Sequence, residues 1–253
     1  RQRFCCFRSL TMTSDKFLSL ENLIGKQGQE KLANSHACLI GLGGVGSWVA
    51  EALVRSGIGK LTLIDMDHIV ASNINRQIQA TVENIGQSKL QALSDRIQII
   101  NSNCELILVD DFLSVDNLSS LINEEHNVVV DAIDQVKVKC ALTEYCSVKK
   151  INLVISGSAG GRLNPEKIKV KDLLDTYGDP LLAKVRKEFK KKHSGKKKSK
   201  VIAIFSDEQI IKPQQCDNVE SNLNCAGYGS SVMVTATMGF YLASEAQKII
   251  LKA

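Results

Sequence analysis

No C-x-x-C pair occurs anywhere in the 253 residues of this sequence. Its eight cysteines include the neighbours Cys5 and Cys6 and the pair Cys140 and Cys146, spacings that match neither a four-cysteine zinc site nor a disulfide framework. We therefore expect no zinc, and cysteines that are mostly reduced, as in a cytosol-like compartment.

Long hydrophobic runs are absent as well. The apolar segment 231–244 is shorter than the roughly 20 residues that a bilayer requires, and Glu245 and Lys248 follow it closely. It therefore predicts a buried helix, and the protein is not expected to span a membrane. With 44% apolar residues the chain can bury a large core. We expect one domain over residues 25–253, preceded by an N-terminal arm over residues 1–24.

The N-terminus has no acidic residue before Asp15 but three arginines, at positions 1, 3 and 8. It lacks the apolar run of a secretory signal. Three interpretations stay open: a remnant of a targeting sequence, an extension upstream of a start at Met12, and a disordered arm. We expect a cytoplasmic protein, or a mitochondrial one if the arginine-rich start is a targeting remnant.

The most informative motif is Gly41-Leu-Gly-Gly-Val-Gly46, which lies between a predicted strand and a predicted helix. Gly41 allows a tight turn, Gly43 lets the backbone approach a phosphate, and Gly46 permits close packing of helix and strand. The helix N-terminus offers free N–H groups to an anion. Asp65 ends the next strand, where a carboxylate can accept hydrogen bonds from ribose hydroxyls. The pattern predicts a nucleotide site but fits NAD, FAD and ATP equally.

The order of the apolar segments predicts an α/β fold. Strands alternating with helices imply right-handed crossovers and a Rossmann-like parallel sheet in the N-terminal half, with ligands at the carboxyl edge of the strands. The C-terminal half favours antiparallel strands joined by a basic helix and loop, and helices are expected on both faces of the sheet. The predicted strands are 37–41, 60–65, 105–109, 128–134, 153–158, 168–170 and 201–205.

Three charged side chains are expected beside the nucleotide site. Arg76 follows two asparagines in a polar turn, where a guanidinium can hold phosphate oxygens; an ordinary surface arginine is the alternative. Lys89 lies in the first turn of a predicted helix, where a cation opposes the helix dipole unless an anion is near. Asp134 ends a predicted buried strand, where a carboxylate is costly unless it binds donors or a cation such as Mg²⁺. This set favours phosphate chemistry over hydride transfer.

Positive charge is concentrated in one segment. Residues 184–200 hold ten lysines or arginines against the single acid Glu188, whereas the net charge of the whole chain is +5. Such a segment suits a polyanion such as RNA; a solvated loop or an address signal is the alternative. The basic side chains belong to Lys184, Arg186, Lys187, Lys190, Lys191, Lys192, Lys196, Lys197, Lys198 and Lys200.

Five ordered motifs resemble those of the ubiquitin-activating-like, ThiF-type adenylyltransferases, a family that includes enzymes that adenylate sulfur-carrier proteins. These motifs are Gly41-Leu-Gly-Gly-Val-Gly46, Leu63-Ile-Asp65-Met-Asp67, Ser72-Asn-Ile-Asn-Arg76-Gln77, Gly86-Gln-Ser-Lys89 and Asp131-Ala-Ile-Asp134. Five further motifs resemble the branch that modifies threonylcarbamoyladenosine in tRNA. They are Gly44-Val-Gly-Ser-Trp48, Ser156-Gly-Ser-Ala-Gly-Gly161, Asp179-Pro-Leu-Leu-Ala183-Lys-Val-Arg186, Ile204-Phe-Ser206, and Asn224-Cys225-Ala-Gly-Tyr-Gly229 leading into Val232-Met-Val-Thr-Ala-Thr-Met-Gly239-Phe240.

The resemblance implies an ATP-dependent enzyme that dehydrates threonylcarbamoyladenosine beside the tRNA anticodon to its cyclic form, through an acyl-adenylate. Arg76 and Lys89 would neutralise the triphosphate, Asp134 would hold Mg²⁺, and these three are the expected catalytic residues. The basic segment would bind tRNA, and a homodimer is expected. The residues implied in ATP binding are Gly41, Gly43, Gly44, Gly46, Asp65, Asp67, Ser72, Asn73, Asn75, Arg76, Lys89, Asp134 and Gln135.

Some positions leave alternatives open. Cys225 lies where relatives have been proposed to use sulfur or thioester chemistry, which would imply a sulfur-acceptor or cysteine-desulfurase partner; a structural cysteine is the other interpretation. Lys16 occupies the N-terminal region from which relatives supply an arginine to the other subunit, and Gln135 stands where many relatives have asparagine. Two other functions stay open: activation of a ubiquitin-like or sulfur-carrier protein, and a non-catalytic RNA-binding module.

Overall fold

The structure is a computed structural model that describes residues 16–212 and 228–253. Seven strands and seven helices are present in these ranges. The strands are β1 (His36–Ile40), β2 (Lys60–Ile64), β3 (Glu105–Val109), β4 (Val128–Asp131), β5 (Leu153–Ser156), β6 (Ile168–Asp172) and β7 (Ile202–Ser206). The helices are α1 (Leu18–Ala33), α2 (Gly46–Arg55), α3 (Lys89–Ile100), α4 (Leu118–Leu121), α5 (Val136–Lys149), α6 (Pro180–Lys192) and α7 (Val232–Lys252).

The strands form one mixed sheet in the order β3-β2-β1-β4-β5-β7-β6. Every neighbouring pair is parallel except β6 and β7, which are antiparallel. This confirms the predicted α/β class with a parallel N-terminal half and an antiparallel pair in the C-terminal half. Because β1 lies between β2 and β4, the chain reverses its direction of travel across the sheet at β1. The carboxyl ends of β1 and β4 therefore flank a crevice of the kind that binds ligands in open α/β sheets.

Helices cover both faces of the sheet, as predicted. Helices α1, α2, α3 and α7 pack on one face, and α4, α5 and α6 on the other. In β1, Ala37 and Leu39 point into the first core, whereas Cys38 and Ile40 point into the second. Since successive side chains of a strand point to opposite faces, a central strand buried on both sides has a continuously apolar sequence.

The apolar C-terminal segment forms α7 and packs against α2. Val234, Met238 and Leu242 are fully buried on one side of α7, which confirms the prediction of a buried helix. A Cβ atom at Gly239 would lie 2.7 Å from the carbonyl oxygen of Val45, so the two helices approach more closely here than a larger residue would allow. No helix in the described ranges is long and apolar enough to cross a membrane.

Two element boundaries differ from a simple reading of the sequence. The fourth strand ends at Asp131, three residues before the predicted end. Helix α1 begins at Leu18 and changes direction at Gly25, where φ is 75°. The division between an arm (1–24) and a domain (25–253) stays a prediction, and residues 1–15 lie outside the described ranges.

The cysteines in the described ranges carry free thiols. Cys38, Cys104 and Cys146 are buried, and Cys140 is partly buried. Burial raises the pKa of the Cys146 thiol to about 12, so this side chain is protonated at neutral pH and is a poor nucleophile. Cys225, the predicted reactive thiol, lies outside the described ranges.

Candidate functional site

A cavity of about 520 Å³ lies against the carboxyl ends of five neighbouring strands. Residues 111–113 follow β3, Asp65 and Asp67 follow β2, and residues 41–45 follow β1. Residues 132–135 follow β4, and residues 156–160 begin at the last residue of β5. The cavity therefore runs across the predicted crevice, with the glycine turn near its middle.

The glycines of the turn have different tasks. Gly41 has a φ of +86°, which an L-residue rarely adopts. A Cβ atom at Gly46 would lie 1.8 Å from the carbonyl oxygen of Gly41, so only glycine allows the start of α2 to pack against the end of β1. A Cβ atom at Gly43 would meet nothing within 4 Å, and this residue lines the cavity. No side chain caps the N-terminus of α2, and the amides of Ser47 and Trp48 donate to the carbonyl oxygens of Gly43 and Val45. The N–H groups before Ser47 are therefore the ones left for an anion.

Asp65 is held at the end of β2 by backbone hydrogen bonds. Its Oδ2 accepts one of 2.6 Å from the amide of Leu42, and its Oδ1 accepts one of 2.8 Å from the amide of Asp67. The side chain is nearly buried, and burial raises the pKa of Asp65 although these hydrogen bonds and Lys89 act in the opposite direction. An ionised carboxylate has about four acceptor positions. Asp65 can therefore accept further hydrogen bonds from a ligand in the cavity.

Lys89 is the first residue of α3 and its charge is balanced by a carboxylate. Its Nζ lies 2.7 Å from Oδ2 of Asp67, with 8% of the lysine side chain exposed and 51% of the aspartate side chain exposed. The anion that the sequence required near this helix start is thus already supplied by Asp67. Both residues line the cavity, so Asp67 holds Lys89 at the wall, where its ammonium group can contact a bound anion.

Arg76 lies across the glycine turn. The indole N–H of Trp48, on α2, donates a 2.9 Å hydrogen bond to the carbonyl oxygen of Arg76. The aliphatic part of Arg76 lies so near Gly44 that a Cβ atom there would be 3.1 Å from it. The guanidinium Nη1 donates to the carbonyl oxygen of Ser72 at 2.6 Å and to Oδ1 of Asn75 at 2.8 Å. Ser72 and Asn75 therefore position Arg76 and do not themselves line the cavity.

Asp134 lines the cavity but is exposed, so the premise that it ends a buried strand is wrong. The buried carboxylate is that of Asp131, the last residue of β4. Asp131 and Lys139 are both 0% exposed, and the lysine Nζ lies 2.9 Å from Oδ1 of the aspartate. Oδ1 also accepts a 3.0 Å hydrogen bond from the amide of Ile133. The buried ion pair anchors the loop that carries Asp134 and Gln135.

A second buried ion pair lies behind the loop 156–160. Nη1 of Arg162 is 3.1 Å from Oδ2 of Asp179, and both side chains are 0% exposed. Asp179 also caps α6, because its Oδ1 accepts a 2.9 Å hydrogen bond from the amide of Leu182. The dipeptide Asp179-Pro180 is a sequence signal for such a helix start. Its partner Arg162 could not be found from sequence, because the pair is formed only by folding.

Most of the predicted nucleotide-binding residues line the cavity. The predicted residues that line it are Gly41, Gly43, Gly44, Asp65, Asp67, Asn73, Arg76, Lys89, Asp134 and Gln135. Gly46, Ser72 and Asn75 stand behind its wall. Sequence reasoning did not assign several other residues that line the cavity. These are Gln77, Asp111, Phe112, Leu113, Ser156, Gly157, Ser158, Ala159, Gly160, Tyr228, Ser230 and Thr235.

The basic segment forms α6 and the loop that follows it, as predicted. Most of its side chains are exposed, but Arg186 donates a 2.9 Å hydrogen bond to the hydroxyl of Thr176 and is partly buried. Lys191 pairs with Glu188 at 2.6 Å, and Lys198 pairs with Asp175. Exposed pairs of this kind are weak, so these lysines can exchange their partners for phosphate groups.

Asp134 is the residue predicted to hold Mg²⁺, and it lines the cavity. Within residues 16–212 and 228–253 no group of three His, Cys, Asp or Glu side chains could hold a metal ion by itself. Mg²⁺ commonly binds one or two carboxylates together with phosphate oxygens and water. The exposed carboxylate of Asp134 at the cavity wall therefore fits an ion that arrives with a nucleotide, and the exposed carboxylates of Asp67 and Asp111 line the same cavity.

Comparison with known proteins agrees with this geometry. Residues 17–253 match the ThiF family. The chain is similar to the tRNA threonylcarbamoyladenosine dehydratase of Haemophilus influenzae, with 43% identity over 244 residues that cover 94% of each chain. It is 42% identical to the Escherichia coli dehydratase over 247 residues, 92% of each chain.

A solved structure gives the same result for the fold. The Escherichia coli tRNA N6-threonylcarbamoyladenosine dehydratase in complex with ATP aligns with a TM-score of 0.86 and 40% identity, over 95% of this chain and 97% of that one. Since the family match runs from residue 17 to residue 253 and includes every lining residue of the cavity, the chain belongs to the ThiF family.

Proposed function

We propose that this protein is an ATP-dependent tRNA threonylcarbamoyladenosine dehydratase. The observation that carries the proposal is the combination of two features: a cavity with the parts of a nucleoside triphosphate site at the carboxyl edge of the sheet, and a basic helix, α6, whose first turn reaches that edge at Ser158. Relatives with the dehydratase name are similar to this chain over almost their whole length, which supports the same chemistry here.

The order of loops along the cavity suggests how ATP would lie. Asp65 would accept hydrogen bonds from the ribose, and Phe112 offers an apolar wall for the base beyond it. The glycine turn and the N-terminus of α2 would receive phosphates. Arg76 and Lys89 would neutralise the charge that develops when the α-phosphate is attacked.

Asp134 would hold Mg²⁺ on the phosphates. When bound, this ion would supply further charge neutralisation on the phosphate oxygens. Asp134 and Gln135 lie on the loop after β4, which follows the glycine turn along the cavity wall. The ion pair between Asp131 and Lys139 keeps this loop in place.

The substrate carboxylate would approach from the side of the loop 156–160. Attack of that carboxylate on the α-phosphorus would release pyrophosphate and form the acyl-adenylate. A ureido nitrogen of the same nucleoside would then attack the activated carbonyl and release AMP, a net loss of one water. Because both reacting groups belong to one molecule that the site holds, ring closure becomes effectively unimolecular. The exposed lysines of α6 would bind tRNA phosphates.

We also propose a homodimer, on the basis of an exposed apolar stripe on α7. Met233 is 63% exposed, Phe240 48% and Tyr241 42%, although α7 is otherwise packed in the core. Exposed apolar side chains in one place on a surface mark an interaction site. One chain has a mass of 27.7 kDa. A mass of about that value in light scattering, rather than twice that value, would contradict the dimer.

The test of the function is incubation with ATP, Mg²⁺ and tRNA that contains threonylcarbamoyladenosine, followed by mass analysis of the nucleosides. The wild type should form AMP and a nucleoside lighter by one water. Lys89→Ala and Asp134→Ala should reduce the turnover at least about a hundredfold, because each removes a charge from the phosphate site. Lys137→Ala and Asp116→Ala are matched controls, since these exposed side chains lie outside the cavity and should keep wild-type turnover.

Other outcomes would identify the alternatives. Pyrophosphate exchange that depends on a carrier protein and ignores modified tRNA would indicate an activator of a ubiquitin-like or sulfur-carrier protein. Binding of tRNA without binding of ATP would indicate a non-catalytic RNA-binding module. The cytoplasmic location, the mitochondrial alternative, the reactivity of Cys225, a sulfur-handling partner and the cross-subunit role of Lys16 all stay predictions.

A further inference from the structure

The loop after β5 and the basic helix α6 meet at one buried carboxylate. Oδ2 of Asp179 accepts a 2.9 Å hydrogen bond from the amide of Ser158, which lines the cavity. Oδ1 of the same side chain accepts a 2.9 Å hydrogen bond from the amide of Leu182, in the first turn of α6. The two oxygens of Asp179 thus connect the wall of the cavity to the element that carries the exposed lysines.

The contact is tight as well as direct. A Cβ atom at Gly157 would lie 2.6 Å from Oδ2 of Asp179 and 2.9 Å from Cβ of Phe205. The amide of Gly157 also donates a 2.7 Å hydrogen bond to the carbonyl oxygen of Ile204 in β7. The loop is therefore pressed between β7 and the start of α6, so a shift of Asp179 would be transmitted to Ser158.

Arg162 completes this connection from the other end of the loop. Its Nη1 lies 3.1 Å from Oδ2 of Asp179 and also donates to the carbonyl oxygen of Ser158. The guanidinium is completely buried, and its Nε and Nη2 have no hydrogen-bond partner in the ranges that the structure describes. A buried ion pair with unsatisfied donors contributes little to stability compared with apolar residues of similar size. The pair instead holds the loop 156–160 in one conformation.

The position of this arrangement relates it to the reaction. Along the cavity, the loop 156–160 lies at the end opposite to Asp65 and residues 111–113, which are expected to hold the nucleoside of ATP. This end of the cavity is the one nearest to β7, and α6 is the helix that comes before β7 in the chain. A substrate held by phosphates on α6 would reach the α-phosphate over this loop.

We propose that Arg162 and Asp179 are positioning residues that hold the loop 156–160 in register with α6, so that tRNA bound to the helix presents its carboxylate to the α-phosphate. This inference rests on the proposed dehydratase function. It assigns the pair no contact with ATP or tRNA. Loss of the pair should therefore lower the rate of the reacting complex and leave the binding of each substrate intact, because small misplacements of reacting groups reduce rates strongly.

The test uses the double variant Arg162→Met/Asp179→Asn in the full chain. Both charges are removed together, so no buried ion is left unpaired. The asparagine side chain at 179 keeps one oxygen for the amide of Leu182 but turns an NH₂ donor toward the amide of Ser158. The cap of α6 is thus retained while the hold on the loop is released.

Asp172→Asn is the matched control. Asp172 accepts hydrogen bonds of 3.0 and 2.9 Å from the amides of Ser199 and Lys200, so it fixes the far end of the basic segment without touching the loop 156–160. Three quantities are measured for each protein: the dissociation constants of ATP and of modified tRNA, and the single-turnover rate of cyclic nucleoside formation with both substrates saturating. Thermal unfolding of each variant is recorded alongside.

The double variant should lose at least about tenfold in the saturated rate while both dissociation constants stay within about twofold of wild type. Asp172→Asn should keep the saturated rate. If the double variant does not fold, Arg162→Lys replaces it, because a lysine keeps the charge but its shorter side chain ends before the position of Nη1, the atom that reaches both partners, and the same split is expected.

The outcomes separate this inference from the proposed function. A wild-type protein that forms no cyclic nucleoside would refute the function, and the positioning role with it. A wild-type protein that cyclises its substrate, together with a double variant of unchanged saturated rate, would overturn the positioning role and leave the function standing. A double variant that loses ATP binding in proportion to its rate would also overturn it, since that result indicates general damage to the cavity.

Discussion

Removal of Lys139 should reveal how strongly the edge of the sheet depends on one buried ion pair. Lys139 and Asp131 are both 0% exposed and 2.9 Å apart. Lys139→Met would leave the carboxylate of Asp131 buried without a counter-charge, which typically destabilises a protein by about 3–5 kcal/mol. For a domain of this size each kcal/mol lowers the melting temperature by about 2–4 °C, so we expect a decrease of about 6–20 °C.

The double variant Asp131→Asn/Lys139→Met provides the control. It removes both charges and keeps an oxygen that can accept the hydrogen bond from the amide of Ile133. Since no buried charge remains unpaired, its unfolding free energy should lie within about 2 kcal/mol of wild type.

The assay is urea-induced unfolding at pH 7 for the wild type, both single variants and the double variant, which form a thermodynamic cycle. The reasoning would be refuted by a loss below about 1 kcal/mol for Lys139→Met, because a buried, unpaired carboxylate cannot be that cheap. It would also be refuted by a double variant less stable than Lys139→Met alone, because the charges would then not be coupled.

Three further predictions concern other parts of the fold. Gly46→Ala should lower both the melting temperature and the ATP affinity, because its Cβ would lie 1.8 Å from the carbonyl oxygen of Gly41. Gly43→Ala has nothing within 4 Å of its Cβ, so it should lower the ATP affinity and keep the melting temperature. Equal melting temperatures for the two variants would contradict the prediction for Gly46. Burial and nearby positive charge lower the pKa of His36 from 6.5 to about 4. Because the unfolded chain then binds a proton that the folded one does not, stability should fall as the pH drops from 6.5 to about 4. His36→Gln should flatten that part of the curve, and an unchanged slope would speak against the assignment. Although burial opposes the effect, hydrogen bonds from two arginines lower the pKa of Glu51. Glu51→Gln should therefore cost about 1–3 kcal/mol at pH 7, with the difference from wild type disappearing as the pH falls below the carboxylate's folded-state pKa; a constant difference would exclude an ionic origin.

Local sequence patterns were sufficient for the elements that depend on nearest neighbours in the chain. The glycine turn, the strand before it and the helix after it follow from backbone freedom and apolar periodicity within a few residues. Asp65 could be placed at a strand end for the same reason. The antiparallel pair β6 and β7 and the buried α7 were also predicted correctly, because each has a clear pattern of apolar residues.

Asp134 shows where this reasoning fails. The mainly apolar segment 128–134 suggested a strand as far as residue 134, whereas the strand ends at Asp131 and the buried carboxylate is the earlier one. Sequence spacing gives no means of deciding which of two nearby aspartates is buried, because the deciding group, Lys139, lies on the next helix. Lys89 is a similar case, since the anion near it is the side chain of Asp67, 22 residues away.

By itself, the sequence determined the class of fold, the nucleotide-type turn and the residues that carry charge to it. Only the tertiary structure decided which charges are paired and which stay available. Arg162 meets Asp179, and Asp131 meets Lys139, because elements remote or successive in the chain are brought together by packing of the sheet and its helices. Burial sets the energy of a charged group, and burial is a property of the whole folded chain rather than of any segment of it.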